Sequence, residues 1–170
     1  MRSLLILLLV LTAPALSLAA TTEPVDAFVA DAFEGRPHES RMLWLTPDIK
    51  ARAARILGHD YAGLRVRYWR GGTRTVWVLD EIGKELPITI GVVVDRDRIV
   101  RTRVLAFREA RGGEVRHGFF TRQFADAALV ADDRLDRSID GITGATLSVW
   151  AVTRVSRLAL AFHQEALRNG

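Results

Sequence analysis

Asp140, Thr143, Gly144, Ala145 and Thr146 fall together in DGITGATLS, residues 140–148, just ahead of an apolar run with helical spacing. Threonine hydroxyls and two glycines at the mouth of a helix suit the binding of an anion. The first amides of a helix have no partner within it and lie at the positive end of its dipole, a setting that draws phosphate. Thr146 stands where an N-cap would, which places its hydroxyl beside those amides. Gly141 and Gly144 permit a backbone path that other residues resist, and Gly144 has no side chain to hold a ligand away. A plain capped helix start needs the same residue types. On this stretch alone both readings stand.

Other chemistries are poorly supplied. His38, His59, His117 and His163 are scattered without the spacing of metal ligands, and cysteine is absent. That absence excludes disulfides, c-type haem attachment and cysteine-held iron–sulfur clusters. No Gly-Lys-Ser/Thr follows the glycines, so a P-loop is excluded, and a lone G-x-x-G without a parallel βαβ unit is no dinucleotide fingerprint. The aspartates of ADDRLDRSI lack the D-x-D-x-D-G ladder of a calcium loop. The formal net charge is +4, and 22 of the 24 basic residues are arginine. These alternate with apolar or acidic residues rather than forming runs, and no nucleic-acid motif accompanies them.

The elements that must position the glycine–threonine stretch follow from the hydrophobic period. Val25, Phe28, Val29 and Phe33 form a helical stripe behind Pro24, and LTPDIKARAARILG is a second helix with Thr46 as N-cap, Pro47 at its first position and Gly58 as its stop. GRPHESRM between them reads as a loop. From Leu64 the period becomes two. LRVRYWR and TRTVWVLD flank Gly71-Gly72 as one hairpin, and PITIGVVV and IVRTRVLAF flank DRDR as another. REARGGEVRHGFF is a glycine-containing loop, FTRQFADA a short helix and ADDRLDRSI a polar connection. Residues 147–167 form a long helix with Leu147, Trp150, Ala151, Val155, Leu158, Phe162 and Leu167 near one stripe. The expected fold is α+β: a largely antiparallel sheet of two hairpins packed with N-terminal helices and a long C-terminal helix.

The first twenty residues, MRSLLILLLVLTAPALSLAA, have a basic start, an apolar run over Leu4–Leu11 and small residues for cleavage near Ala19 or Ala20. This is the pattern of a secretory signal peptide. It implies a periplasmic or otherwise extracytoplasmic protein, either released by cleavage or tethered to the inner membrane by a retained leader. Residues 1–20 are then the signal peptide, 21–70 an N-terminal helical segment with the first strand, and 71–170 the ligand-binding domain.

DGITGAT resembles the D-x-x-[ST]-G-A-T signature of FMN-binding domains related to the RnfG and NqrC subunits of bacterial redox pumps. The similarity in pattern extends over about residues 75 to 160. The resemblance implies FMN as a covalent cofactor, joined through its phosphate to the final threonine by a flavin transferase acting outside the cytoplasm. Carried over residue by residue, Asp140 is the motif acid, Thr143 the hydroxyl position, Gly144 and Ala145 the small pair and Thr146 the attachment site. Ser148, Glu109 and Trp150 are further candidates for contact with the cofactor; Gly113, Phe124, Arg108 and Arg116 lie in the region leading back to it.

An exported chain without thiols, haem ligands or metal spacing needs a borrowed group for redox work, and flavin is one. The function expected is an electron carrier, relaying electrons between a membrane redox protein and an acceptor and needing no nucleic acid. The alternatives are a flavin reductase that turns over a small substrate, and a flavin-free interaction module in which TGAT merely caps a helix.

Overall fold

The computed structural model describes residues 23–168, so the expected leader and its cleavage site lie outside the described residues. Helix α1 spans Val25–Phe33, strand β1 Glu39–Trp44 and helix α2 Pro47–Leu57. In α2 the Thr46 hydroxyl accepts from the Ile49 amide at 3.3 Å, Pro47 fills the first turn, and Gly58 ends the helix at φ 81°. All three residues act as their types dictate.

Strands β2 (Arg65–Gly71), β3 (Arg74–Ile82), β4 (Pro87–Asp95) and β5 (Arg98–Ala106) follow. Among the described residues they form with β1 a five-stranded sheet in the order β1-β2-β3-β4-β5, antiparallel at every step. The fold is α+β, as expected, with one strand more than the two hairpins. Residues 39–44 are β1 and not loop: Leu43 reaches the core while Met42 and Trp44 are exposed. An edge strand alternating this way across polar residues carries little hydrophobic signal. The expected boundary after residue 70 falls inside the β2–β3 hairpin, and one sheet runs across it. In that hairpin only Gly72 has a positive φ, 62°; Gly71 is the last residue of β2, where a Cβ would press on the Pro37 carbonyl and the Phe33 ring.

The sheet is covered on both faces. On one, α1 seats Phe28, Val29 and Phe33 against Val76, Val93 and Leu105. On the other, Trp77, Ile88, Ile90, Val92 and Val94 meet helix α4, Thr146–Arg168, and helix α2. Double coverage explains why β4 reads as a continuous β-branched run. Gly91 faces α1, and a Cβ there would run into the Phe28 ring.

Between β5 and α4 the chain makes short elements: 3-10 turns at Gly113–Arg116 and Arg122–Phe124 around helix α3 (Gly118–Thr121), then a small hairpin of β6 (Leu129–Val130) and β7 (Arg134–Leu135). Phe120 and Phe124 are fully buried and pack edge to face at 5.5 Å, which fixes this region onto the core.

Candidate functional site

The DGITGAT stretch ends in a turn that launches α4. The Ala145 amide donates to the Ile142 carbonyl at 2.9 Å, closing a four-residue turn whose third residue, Gly144, has φ 82°. A positive φ at that position is what glycine supplies. A Cβ built on Gly144 meets nothing within 4 Å, so the backbone there is open to solvent. The first helical bond runs from the Val149 amide to the Ala145 carbonyl at 2.9 Å. Ala145 is therefore the N-cap and Thr146 the first residue of the helix, which begins one place earlier than expected. Alanine offers no side-chain cap, so the first-turn amides of Thr146, Leu147 and Ser148 are left as orphan donors.

Thr146 is exposed and opens a groove of ≈ 910 Å³. One wall is a stripe of α4: Thr146, Val149, Trp150, Thr153 and Arg157. Their spacing of three and four residues puts them on one helix face, over about 16 Å at 1.5 Å per residue. The opposite wall is the chain from Arg134 to Ile139 with Gly141, Ile142 and Thr143. Leu147 and Trp150 were expected in the core stripe, yet they are 42% and 51% exposed. The buried face of α4 runs instead through Val149, Val152, Val155, Leu158, Ala159 and Phe162. Trp150 thus presents its ring to the groove one turn beyond Thr146.

The far wall is held by charged groups that have already found partners. Arg137 donates to the carbonyls of Ala125 and Asp126, each at 2.8 Å, and to Asp136 at 3.1 Å. That bond to Arg137, with a further one from the Ala128 amide, holds the Asp136 carboxyl below its ordinary range. Arg157 donates to the Asp133 carbonyl at 2.6 Å. Burial lowers the pKa of its guanidinium, and the neighbouring Arg154 adds to that against the pull of Asp133. Arg52 on α2 then binds Asp133 Oδ1 at 2.7 Å, Gln164 at 2.7 Å and Glu165 at 3.0 Å, tying wall, α2 and α4 together.

Of the residues singled out in the sequence, Thr143, Thr146 and Trp150 line the groove, with Gly144 and Ala145 forming its turn. Asp140 is exposed at the loop that leads in, and its amide donates to Gln123 at 2.7 Å. Ser148 is buried on the other side of the helix, where a Cβ on Gly112 would come within 2.7 Å of its hydroxyl. Glu109 stands away from the groove. It accepts from the amides of Lys84, Glu85 and Leu86 at 2.6, 2.6 and 2.9 Å, closing the β3–β4 turn. Although burial pushes its carboxyl up, those three amides bring it below the usual value. Arg108 binds the Pro87 carbonyl and Thr89, Arg116 lies over the Phe107 ring, and Phe124 is core. Thr153 and Arg157 were legible as the continuation of the Thr146 stripe; Arg134 had no sequence signal.

These residues fit FMN: orphan amides and a free hydroxyl for its phosphate, open backbone at Gly144, and an exposed indole with polar walls for the rest. Among the described residues no three His, Asp or Glu gather as a metal site. The architecture defines an α+β domain with a groove that opens at the start of its last helix. Residues 83–161 match the family model described as FMN-binding domain, which supports an FMN-binding domain protein. No curated protein matches the chain. The matched stretch covers β4, β5, the whole far wall and most of α4.

Proposed function

We propose that the protein is an exported electron carrier whose FMN is esterified through its phosphate to Thr146. The observation that carries this reading is the exposed Thr146 hydroxyl at the first position of α4, where the groove begins. In forming the ester, Thr146 Oγ gives up its proton and bonds to the flavin-side phosphorus of a flavin dinucleotide. The phosphoanhydride bond breaks and the other nucleotide leaves as its monophosphate, so the protein gains FMN less water. A flavin transferase outside the cytoplasm is the maturation partner. The amides of Leu147 and Ser148, at the positive end of a 23-residue helix, stabilise the phosphoester's negative charge. Gly144 lets the phosphate and the transferase approach. Bound FMN supplies exchange of one or two electrons.

Relay rather than turnover is favoured by what the groove lacks. Its lining contains no histidine and one acid, Asp136, which is engaged by Arg137 and Arg98. No free acid–base pair faces a bound substrate, as a reductase of small molecules would want. The leader sequence agrees with an extracytoplasmic site of work, next to a membrane redox protein.

The test is intact-mass measurement and in-gel fluorescence after co-expression with a flavin transferase in an exporting host. The wild-type protein should gain FMN less water, and Thr146→Ala should gain nothing while its Tm stays unchanged. Covalent flavin on Thr146→Ala would overturn the assignment. Saturable turnover of one small acceptor by the loaded protein would move it to the reductases.

A further inference from the structure

Three arginines line the groove, and they are not equivalent. Arg137 has its donors on two carbonyls and Asp136, and Arg157 has its Nε on the Asp133 carbonyl. Arg134, in the two-residue strand β7, is exposed and has no ion pair or side-chain hydrogen bond among the described residues. It is the groove arginine whose side chain has no hydrogen bond to the protein among the described residues, while Arg157 is bonded through Nε alone and has no ion pair there. Arg157 shares the groove and lies eleven residues, about 16 Å of helix, beyond Thr146. An FMN molecule held by its phosphate at Thr146 and lying along Trp150 and Thr153 would reach Arg157, whose bond to the Asp133 carbonyl sets the adjacent Arg134 at the same end.

We propose that Arg134 is the charge partner of the reduced flavin, holding negative charge on the N1–C2 carbonyl side of its pyrimidine ring. This rests on the reading that FMN lies in this groove from Thr146. Guanidinium is permanently charged and offers paired donors to a planar anion. Oxidised flavin has no such charge, so the contact strengthens on reduction. The proton count follows. With Arg134 in place, two electrons from a protein donor, or from dithionite in the test, enter the flavin with one proton, which goes to N5, and the reduced ring stays anionic at N1. Without the guanidinium a second proton is taken up at N1.

The assignment is tested on the flavinylated protein by potentiometric titration at several pH values around neutrality. Wild type should show the slope of one proton per two electrons. Arg134→Gln should move the N1–H ionisation to higher pH, so that below it the slope doubles, the midpoint potential falls, and the near-ultraviolet spectrum is that of neutral reduced flavin. Arg134→Lys should keep the single-proton slope over part of the range, because it retains the charge without the paired donors. The Arg134 side chain supports no other contact, so both variants should fold and carry flavin on Thr146. Arg134→Gln with flavin on Thr146 and an unchanged slope overturns this assignment and leaves the carrier reading intact. Absence of flavin from Thr146 in the wild-type protein overturns the reading itself, and this assignment with it.

Discussion

The two ends of α4 belong to one helix and are built in opposite ways. At the C-terminal end every buried side-chain polar group of the helix among the described residues has a partner. The fully buried His163 pairs its Nδ1 with Thr75 Oγ1 at 2.7 Å, and its Nε2 accepts from the Asp97 amide at 3.4 Å. Thr75 also accepts from Trp77 at 2.8 Å, which completes a closed chain. Glu165 is held by Arg52 and Arg168. At the N-terminal end the cap is an alanine, the first amides are orphans, and Thr146 and Trp150 face solvent. A buried polar group must be satisfied or it costs free energy; an exposed one can wait for a ligand. The closed end fixes the helix on the sheet so that the open end is presented in one place.

This contrast makes aromatic truncation unequal along the helix. Phe162 is 1% exposed and touches the rings of Trp77 and Tyr61 at 5.7 and 5.8 Å. Phe162→Ala should cost about 3–5 kcal/mol in denaturant unfolding, whereas Trp150→Ala should stay within about 0.5 kcal/mol. A large loss at Trp150 would mean that the groove end is also core.

Two glycines sharpen the comparison. Gly112 and Gly144 have nearly the same φ, 86° and 82°, yet a Cβ on Gly112 would sit 2.7 Å from the Ser148 hydroxyl and one on Gly144 would touch nothing. Gly144→Ala should therefore cost only the backbone strain, about 1 kcal/mol. Gly112→Ala adds a steric conflict and should cost about 1 kcal/mol more. Equal losses in thermal unfolding would show that packing at Gly112 is soft.

The histidines give effects of opposite sign. Burial lowers the pKa of His163, opposed by Asp97 and Asp95 and aided by Arg70. The folded state then binds fewer protons than the unfolded chain, so stability should fall as pH drops below the ordinary histidine value of 6.5. For His59 the hydrogen bond that its Nε2 donates to Glu81 raises the pKa. Its contribution is present in acid and is lost as pH rises through the raised value. The His59 side chain is half exposed, so His59→Ala should cost only about 0.5 kcal/mol in acid and nothing well above that pKa. A Tm that stayed flat in His163-containing protein on acidification would remove the argument that the closed end depends on a neutral imidazole.

Much of this was legible from local chemistry. Helices α1 and α2 lie where Pro24, Thr46, Pro47 and Gly58 place them, and β2 to β5 lie where the period of two and the unbroken β-branched run of β4 place them. The DRDR turn is a hairpin turn, made by Arg96 and Asp97 at φ 51° and 60° without any glycine. Strand β1 was not legible, because ESRMLW has one residue in the core and needs β2 beside it to be a strand. Nor was the exposure of Leu147 and Trp150, since apolar residues of a first helical turn look the same whether a neighbour covers them or a groove leaves them bare.

The sequence by itself determined the helices, the strands β2 to β5, the glycine turn and a threonine at the start of a helix, because caps, periods and positive φ angles are decided within a few residues. The tertiary structure alone decided what that threonine faces. The wall from Arg134 to Thr143 reaches it only because Arg52, Arg137 and Arg157 bind backbone and carboxylate groups remote in sequence. Which arginine is left over for a ligand depends on how those bonds are distributed, and that is settled by packing across the whole fold.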